Sequence, residues 1–362
     1  MASLFQTRFA STRRNRVPGK RSRLKKALQL TTVGFLLLLA SLAVAQDGPV
    51  KYPRPPVKGS APPSQASAQP PPANDPGDKD QKEPTYKVDV KLVNVYVTVQ
   101  DQHGSPVAGL TKDNFKLTED GVPQNIAVFG RESELPLSIL LSIDASLSTK
   151  KDIHLELDSA RKFAHDIVRP NDRLAVFQFS ERVDQLTGFT SNLQAIDAGI
   201  ARVHTGAATA LYDAIYLGSH SLSGREGRKV MIVVTDGGDT MSQEDYQTAL
   251  RAAQQAEAMV YSIIIVPIES SAGRDIGGEH ALIQISNDTG GKYFYASGIA
   301  QLDEAFHKVS EELRTQYLLG YYPVKRFAST DFRRLDVDVK QDNSAGPLQA
   351  RHRTGYYTSK DE

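Results

Sequence analysis

Between residues 137 and 316 the chain alternates short, almost wholly apolar runs with stretches of helical periodicity, and few folds accept that alternation. The runs at 137–143, 174–179, 230–234 and 260–266 are of strand length and apolar on both faces, with a shorter one at 292–295. After the first run, Ile153, Leu157, Ala160, Ala164 and Ile167 recur at helical spacing until Pro170-Asn171-Asp172 stops them. Thr190-Ser191-Asn192 caps a helix through Val203, a further helix starts after Thr209, and Ser242 with Asp245 reads as a capping box before a helix to Glu257. Residues 279–286 are weakly helical, and an amphipathic helix runs from about Gln301 to Tyr317. A strand buried on both faces needs helices over both, so the expected fold class is α/β: a doubly wound, mostly parallel sheet covered on both sides.

The flanks are of other kinds. Residues 1–26 hold nine Lys/Arg and no acid, and an apolar stretch then closes on Ala43-Val44-Ala45. A basic segment, an apolar segment and a small-x-small exit make residues 1–45 a secretory signal peptide, the alternative being a retained N-terminal anchor. The Arg13-Arg14 pair is a weak twin-arginine signal, because its neighbours do not fit that pattern. The expected location is therefore secreted or periplasmic, with the membrane touched only through an uncleaved N-terminal segment. Residues 46–85 are rich in Pro, Ser, Ala and Gln and lack the apolar density to offset ordering, so they read as a disordered linker.

Residues 86–134 alternate as short strands with a phase slip near Leu92, a turn at Asp101-Gln102-His103-Gly104, and a hairpin signal at Glu119-Asp120-Gly121 before a returning strand at 126–129. They form an expected antiparallel β unit. Residues 318–358 hold two more strand patterns, too short to fold alone, which would complete that unit around the inserted 135–317 domain. Tyr317, Tyr321, Tyr322, Tyr356 and Tyr357 read as packing between β unit and α/β domain, the alternative being a binding face.

Without its basic leader the chain holds 34 Lys/Arg against 42 Asp/Glu, which does not describe a nucleic-acid binder. It has no cysteine, which excludes disulfides, Cys-ligated zinc, iron–sulfur sites and thiol nucleophiles. What remains is an oxygen chemistry. Asp144, Ser146 and Ser148 follow the 137–143 run at every second position, so a buried strand delivers a carboxylate and two hydroxyls to one point. Ligands of open α/β sheets bind beyond the carboxyl ends of the strands. Thr209 at a helix start and Asp236 after the 230–234 run bring further hard oxygens to the same edge. Such a set suits a hard divalent cation; Mg²⁺ takes six oxygens at about 2.0–2.1 Å and commonly keeps waters.

These motifs resemble the von Willebrand factor A-type domain with its metal-ion-dependent adhesion site. D-A-S-L-S matches the family's D-x-S-x-S, G-A-A-T-A-L-Y-D-A its threonine loop, and V-V-T-D-G its second acidic loop. The signal peptide, G-L-T-K-D-N-F-K-L-T-E-D-G before the domain, and Y-L-L-G-Y-Y-P with R-T-G-Y-Y-T after it resemble the secreted relatives first recognised in acidobacteria. The resemblance implies a Rossmann-like sheet. It implies Asp144, Ser146 and Ser148 as first-loop ligands of Mg²⁺ or Mn²⁺, Thr209 as the ligand that exchanges direct for water-mediated contact, and Asp236 as the last carboxylate. The implied partner is a protein offering an Asp or Glu carboxylate to the metal. Ala207 and Ala208 stand where relatives often have Gly.

Each residue also has a plainer reading. Asp144 to Ser148 and Thr209 fit helix caps and Asp236-Gly237-Gly238 fits a turn; Asp213 and Asp239 stand behind the ligands or on the rim, or are solvated, and His204 borders the partner site or is an ordinary loop histidine. An enzyme on a similar sheet, a Mg²⁺-dependent hydrolase or phosphotransferase, would want a second acid where Ser146 stands, and no H-E-x-x-H, G-x-S-x-G or Walker loop is present. A third reading is an envelope scaffold whose metal only braces the loops.

Overall fold

The computed structural model describes residues 92–131, 135–146, 153–266, 276–324, 332–340 and 346–358. The expected signal peptide and linker, and Ser148, lie outside the described residues. In chain order the strands and helices are β1 (Val93–Gln100), β2 (Phe115–Glu119), β3 (Val122–Gln124), β4 (Ile126–Arg131), β5 (Leu137–Asp144), α1 (Ile153–Ile167), β6 (Arg173–Phe179), β7 (Val183–Thr190), α2 (Leu193–Ile200) and α3 (Leu211–Ser223). There follow β8 (Arg228–Thr235), α4 (Tyr246–Gln255), β9 (Ala258–Ile265), α5 (Ile276–Thr289), β10 (Tyr293–Ala296), α6 (Ile299–Thr315), β11 (Tyr317–Tyr321), β12 (Phe332–Val339), β13 (Gln349–Arg351) and β14 (Gly355–Tyr357).

Six strands form the main sheet in the order β10-β9-β8-β5-β6-β7, parallel except for β7. All eight residues of β5 are buried. Its Leu137, Ile139, Leu141 and Ile143 pack with α1, α2 and α6, while Leu140 joins the cluster under α3, α4 and α5. Helices thus cover both faces, as a parallel sheet of apolar strands requires. On the second face Gly218 lets α3 lie close, since a Cβ there would stand 2.6 Å from Leu140 Cδ2.

The edge strand β7 has no counterpart among the sequence expectations. It is half-exposed, carries Gly188 and pairs with β6 through two register shifts, so it shows neither a continuous apolar run nor clean alternation. Two helix termini also differ. The cap of α4 is Asp245, which accepts from the Thr248 amide at 2.8 Å, and Ser242 is engaged elsewhere. Helix α6 ends at Thr315 and the chain turns at Gln316 directly into β11, so Tyr317 is a strand residue. Tyr317 stands four residues after Leu313, and its helical spacing hides that change.

The flanking strands make two four-stranded antiparallel sheets, β13-β1-β11-β4 and β14-β12-β2-β3. One apolar cluster draws on both, including Val95, Val97, Leu117, Leu319, Leu335 and Val337. The β2–β3 turn places Asp120 and Gly121 at φ 49 and 76, the left-handed pair of a tight hairpin. Its returning strand is 122–124, not 126–129: β4 crosses to the other sheet and pairs with β11. Pro123, which cannot donate to a ladder, sits in an edge strand. Tyr317, Tyr321 and Tyr356 are buried in this cluster rather than between it and the α/β part, whereas Tyr322 is exposed. Tyr357 meets a helix, with Arg251 of α4 over its ring.

Candidate metal centre

Strands β5 and β8 are parallel neighbours, and their last residues are Asp144 and Thr235. From β5 the chain moves outward to β6, and from β8 it moves the other way to β9. This divergence opens the crevice that serves as the ligand position in such sheets.

Asp144 lies at the base of the crevice, 1% exposed. Its Oδ1 accepts the Ser146 amide at 2.9 Å and its Oδ2 accepts the Thr235 hydroxyl at 2.6 Å. Burial nevertheless pushes its carboxyl from the ordinary 3.8 to about 6; hydrogen bonds from Thr235 and Ser146 oppose the rise and the charge of Asp236 adds to it. Among the described residues no basic side chain stands within ion-pair distance of Asp144. Ser146 and Thr209 are buried at 3% and 6%, and Asp236 is half-buried.

The loops bearing these residues are tied to one another by protein contacts. The Gly206 amide donates to Ala145 O at 2.7 Å, joining the threonine loop to the first loop. Thr209 and Thr240 exchange two bonds, the Thr209 amide to the Thr240 hydroxyl at 2.9 Å and the Thr240 amide to Thr209 O at 2.8 Å. The Thr235–Asp144 bond closes the third side. Beneath the threonine loop, Glu181 accepts the Ala207 amide at 2.8 Å, a bond that holds its carboxyl below the ordinary range. Gly206 is required here, because a Cβ would stand 2.2 Å from Ser180 Oγ and 2.4 Å from Glu181 Oε2.

The residue before α3, Ala210, has no side chain that can cap it. Asp239, from the acidic loop, supplies the missing acceptor: its Oδ1 takes the Leu211 amide at 2.8 Å. Ser242 donates its hydroxyl to Asp239 and accepts the Asp213 amide, while the Asp213 carboxylate accepts the Gln243 and Glu244 amides at 3.0 and 2.9 Å. Asp213 and Asp239 are therefore reciprocal caps between two loops. His204 is held by Gln178, whose Oε1 accepts the His204 amide at 3.0 Å. Thr235, Thr240 and Glu181 were not singled out in the sequence; a hydroxyl or acid that pairs across tens of residues leaves no local pattern.

The donors suit a divalent cation. A buried carboxylate beside a second carboxylate, with hydroxyls and, among the described residues, no basic neighbour, is lined by the hard oxygens that such a cation takes. Among the described residues no three His, Cys, Asp or Glu cluster as a metal cage, so a cation here would rest on hydroxyls and two carboxylates.

Residues 138–308 match the family model of the von Willebrand factor type A domain. No curated protein matches the chain. An aerotolerance-related membrane protein from Bacteroides fragilis is similar at 19% identity and TM-score 0.39, over 49% of this chain and 98% of that one. The PilB minor pilin from Streptococcus sanguinis is similar at 13% identity and TM-score 0.41, over 50% of this chain and 61% of that one. Proximal thread matrix protein 1 from the mussel byssus, with a zinc-occupied MIDAS motif, is similar at 18% identity and TM-score 0.45, over 55% of this chain and 50% of that one.

Proposed function

We propose that the protein is an exported binding protein which captures an acidic group of a partner protein at a divalent cation, held by the region 138–308 that matches the von Willebrand factor type A domain model. Asp144, Ser146, Ser148, Thr209 and Asp236 would hold the cation, Mg²⁺ or Mn²⁺. When bound, it supplies a Lewis-acidic position open to an Asp or Glu carboxylate of the partner. The observation that carries the reading is Asp144, buried beside Asp236 with hydroxyl and amide donors and, among the described residues, no basic side chain.

The chain's own residues do the rest. Thr235 and Ser146 orient the Asp144 carboxylate, and Thr240 with Asp239 sets Thr209 and the first turn of α3 at the crevice. Because the three loops are already laced together by protein hydrogen bonds, a cation is not needed merely to brace them, which favours binding over a scaffold role. His204, the titratable ring nearest in sequence to the threonine loop, is tied to Gln178, and we read the site as non-enzymatic. The leader motif supports a secreted or periplasmic location, with N-terminal anchoring as the alternative. Among the described residues no helix is long and apolar enough to cross a membrane. The flanking motifs support membership of the secreted subgroup first recognised in acidobacteria.

Thermal unfolding with Mg²⁺, with Mn²⁺ and with EDTA tests the site. A cation that binds only the folded chain stabilises it by about 2.7 kcal/mol at a hundredfold excess over Kd, and Asp144→Ala should abolish the shift. Absence of any shift with either ion at millimolar concentration sinks the metal reading.

A further inference from the structure

Arg351 closes β13 and Gly355 opens β14, and the two strands belong to different small sheets, β13 pairing with β1 and β14 with β12. Residues 352–354 are therefore the seam between the sheets. Several elements meet there. Arg351 bonds Glu312 of α6, the Arg353 guanidinium donates to Asn94 O at 2.8 Å, and the Thr354 amide donates to Asp288 O of α5 at 3.0 Å.

His352 holds the side of the seam that faces β12. The β12–β14 ladder spans Phe332 to Arg334, and the Leu335 amide extends it to Thr354 O at 2.9 Å. Two residues further, where the strand period points the next amide the same way, Val337 donates to His352 Nε2 at 3.1 Å, so an imidazole continues the sheet where the chain has turned off. The other ring nitrogen, Nδ1, lies 2.7 Å from Arg353 O.

These two contacts make opposite demands on the ring. An amide only donates, so Nε2 must accept; a carbonyl only accepts, so Nδ1 must carry the proton. The neutral Nδ1–H tautomer alone meets both. A second proton would set N–H against N–H and leave the amide of Val337, a residue 5% exposed, without its acceptor.

Burial lowers the ring pKa from the ordinary 6.5; the Arg353 carbonyl and the Asp336 carboxylate of β12 oppose that, and the Arg353 guanidinium adds to it. Among the described residues the other charges around the seam are engaged or turned outward. Glu312 holds Arg351 and Lys292, Glu257 stands 3.3 Å from Arg353, Asp288 accepts from Thr354 and Gln284, and Arg334 and Asp338 lie on the exposed face of β12. The folded ring thus takes its proton at lower pH than the unfolded chain does. Its contribution to stability is complete above about 6.5 and is lost as pH falls through the folded value, the opposite sign to Asp144.

We propose that His352 is an acid-operated latch: neutral, it ties the seam to β12, and protonated, it expels the Val337 amide and releases residues 349–357 with their hold on α6. Histidine is the side chain suited to such a switch, since its ordinary titration lies closest to neutral pH.

The test is NMR on the purified chain in EDTA between pH 7.5 and 5, following the His352 ring nitrogens and the hydrogen-exchange protection of the Val337 amide, corrected for the intrinsic pH dependence of exchange. The ring should be the Nδ1–H tautomer at pH 7.5 and titrate below 6.5, and Val337 protection should fall at least tenfold through that titration. In His352→Gln, whose side-chain carbonyl can accept the amide without titrating, the protection should not change with pH, while Asp144 still titrates. The proposal is overturned by an Nε2–H ring at pH 7.5, by a titration at or above 6.5, by pH-independent protection in the parent, or by a fall in His352→Gln equal to that in the parent. Should His352→Gln not fold, the ring nitrogens and Val337 protection of the parent decide by the same criteria.

Discussion

Glu119 of β2 and Asp144 of β5 are both carboxylates with almost no exposure, 2% and 1%, and the protein treats them differently. Glu119 is met by Arg333 at 3.0 Å and by the hydroxyls of Tyr321 and Tyr356, drawn from three strands. Glu312 of α6 is treated likewise, with Lys292 at 3.2 Å, Arg351 and Gln100 around it. Asp144 receives an amide and hydroxyls and, among the described residues, no cation. Sandwich and interface carboxylates have their charge compensated inside the fold. Among the described residues the crevice carboxylate has no such partner, and that is the charge the proposed cation would supply.

The largest effect should come from giving Glu119 the condition of Asp144. Arg333→Met strands a buried carboxylate, and loss of one partner of a buried pair costs about 3–5 kcal/mol. Denaturant unfolding would show it, with the response to Mg²⁺ unchanged wherever the variant is folded. A loss below about 1 kcal/mol would mean that Glu119 is held by the tyrosines alone, and the contrast with Asp144 would fail.

The reverse change is Asp144→Asn. The folded value near 6 lies above the unfolded 3.8, so the metal-free folded chain holds the extra proton. The penalty is absent below the lower value, grows through the window and is complete above the upper one, amounting to about 3 kcal/mol. In EDTA the parent should lose stability as pH rises from about 4 to about 6. Asp144→Asn should lack that slope, be the more stable protein near pH 7 and show no metal shift. Parallel pH profiles for the two chains would break the argument.

The smallest effect concerns Asp239, whose carboxylate is compensated by backbone amides. Asp239→Ala removes an N-cap in trans and should cost about 1 kcal/mol. By loosening Thr209 it should also weaken cation affinity roughly tenfold, measurable by titration of Mn²⁺. Unchanged affinity would confine Asp239 to stability.

Much of this was legible in the chain. The apolar runs that became β5, β6, β8 and β9, and the stretches that became α1, α2 and α4, show the period of their own element. Asp144, Ser146, Thr209 and Asp236 could be singled out because strand ends and helix starts put them at one sheet edge. Ser242 and Asp245 are both good caps three residues apart, and only the chain's path selects Asp245. Strand β3 does not show in the sequence, because three residues with a proline carry almost no periodicity, whereas 126–129 does.

By itself, then, the sequence determined the α/β sheet, its helix cover and the oxygen-rich ends of two strands, because periodicity and motif spacing are properties of neighbours along the chain. Only the tertiary structure decided which buried acids meet a base. Arg333 lies 214 positions from Glu119, and Asp239 caps a helix that starts 28 residues before it. Charge compensation acts through space at a few ångströms, and no reading along the chain contains that distance.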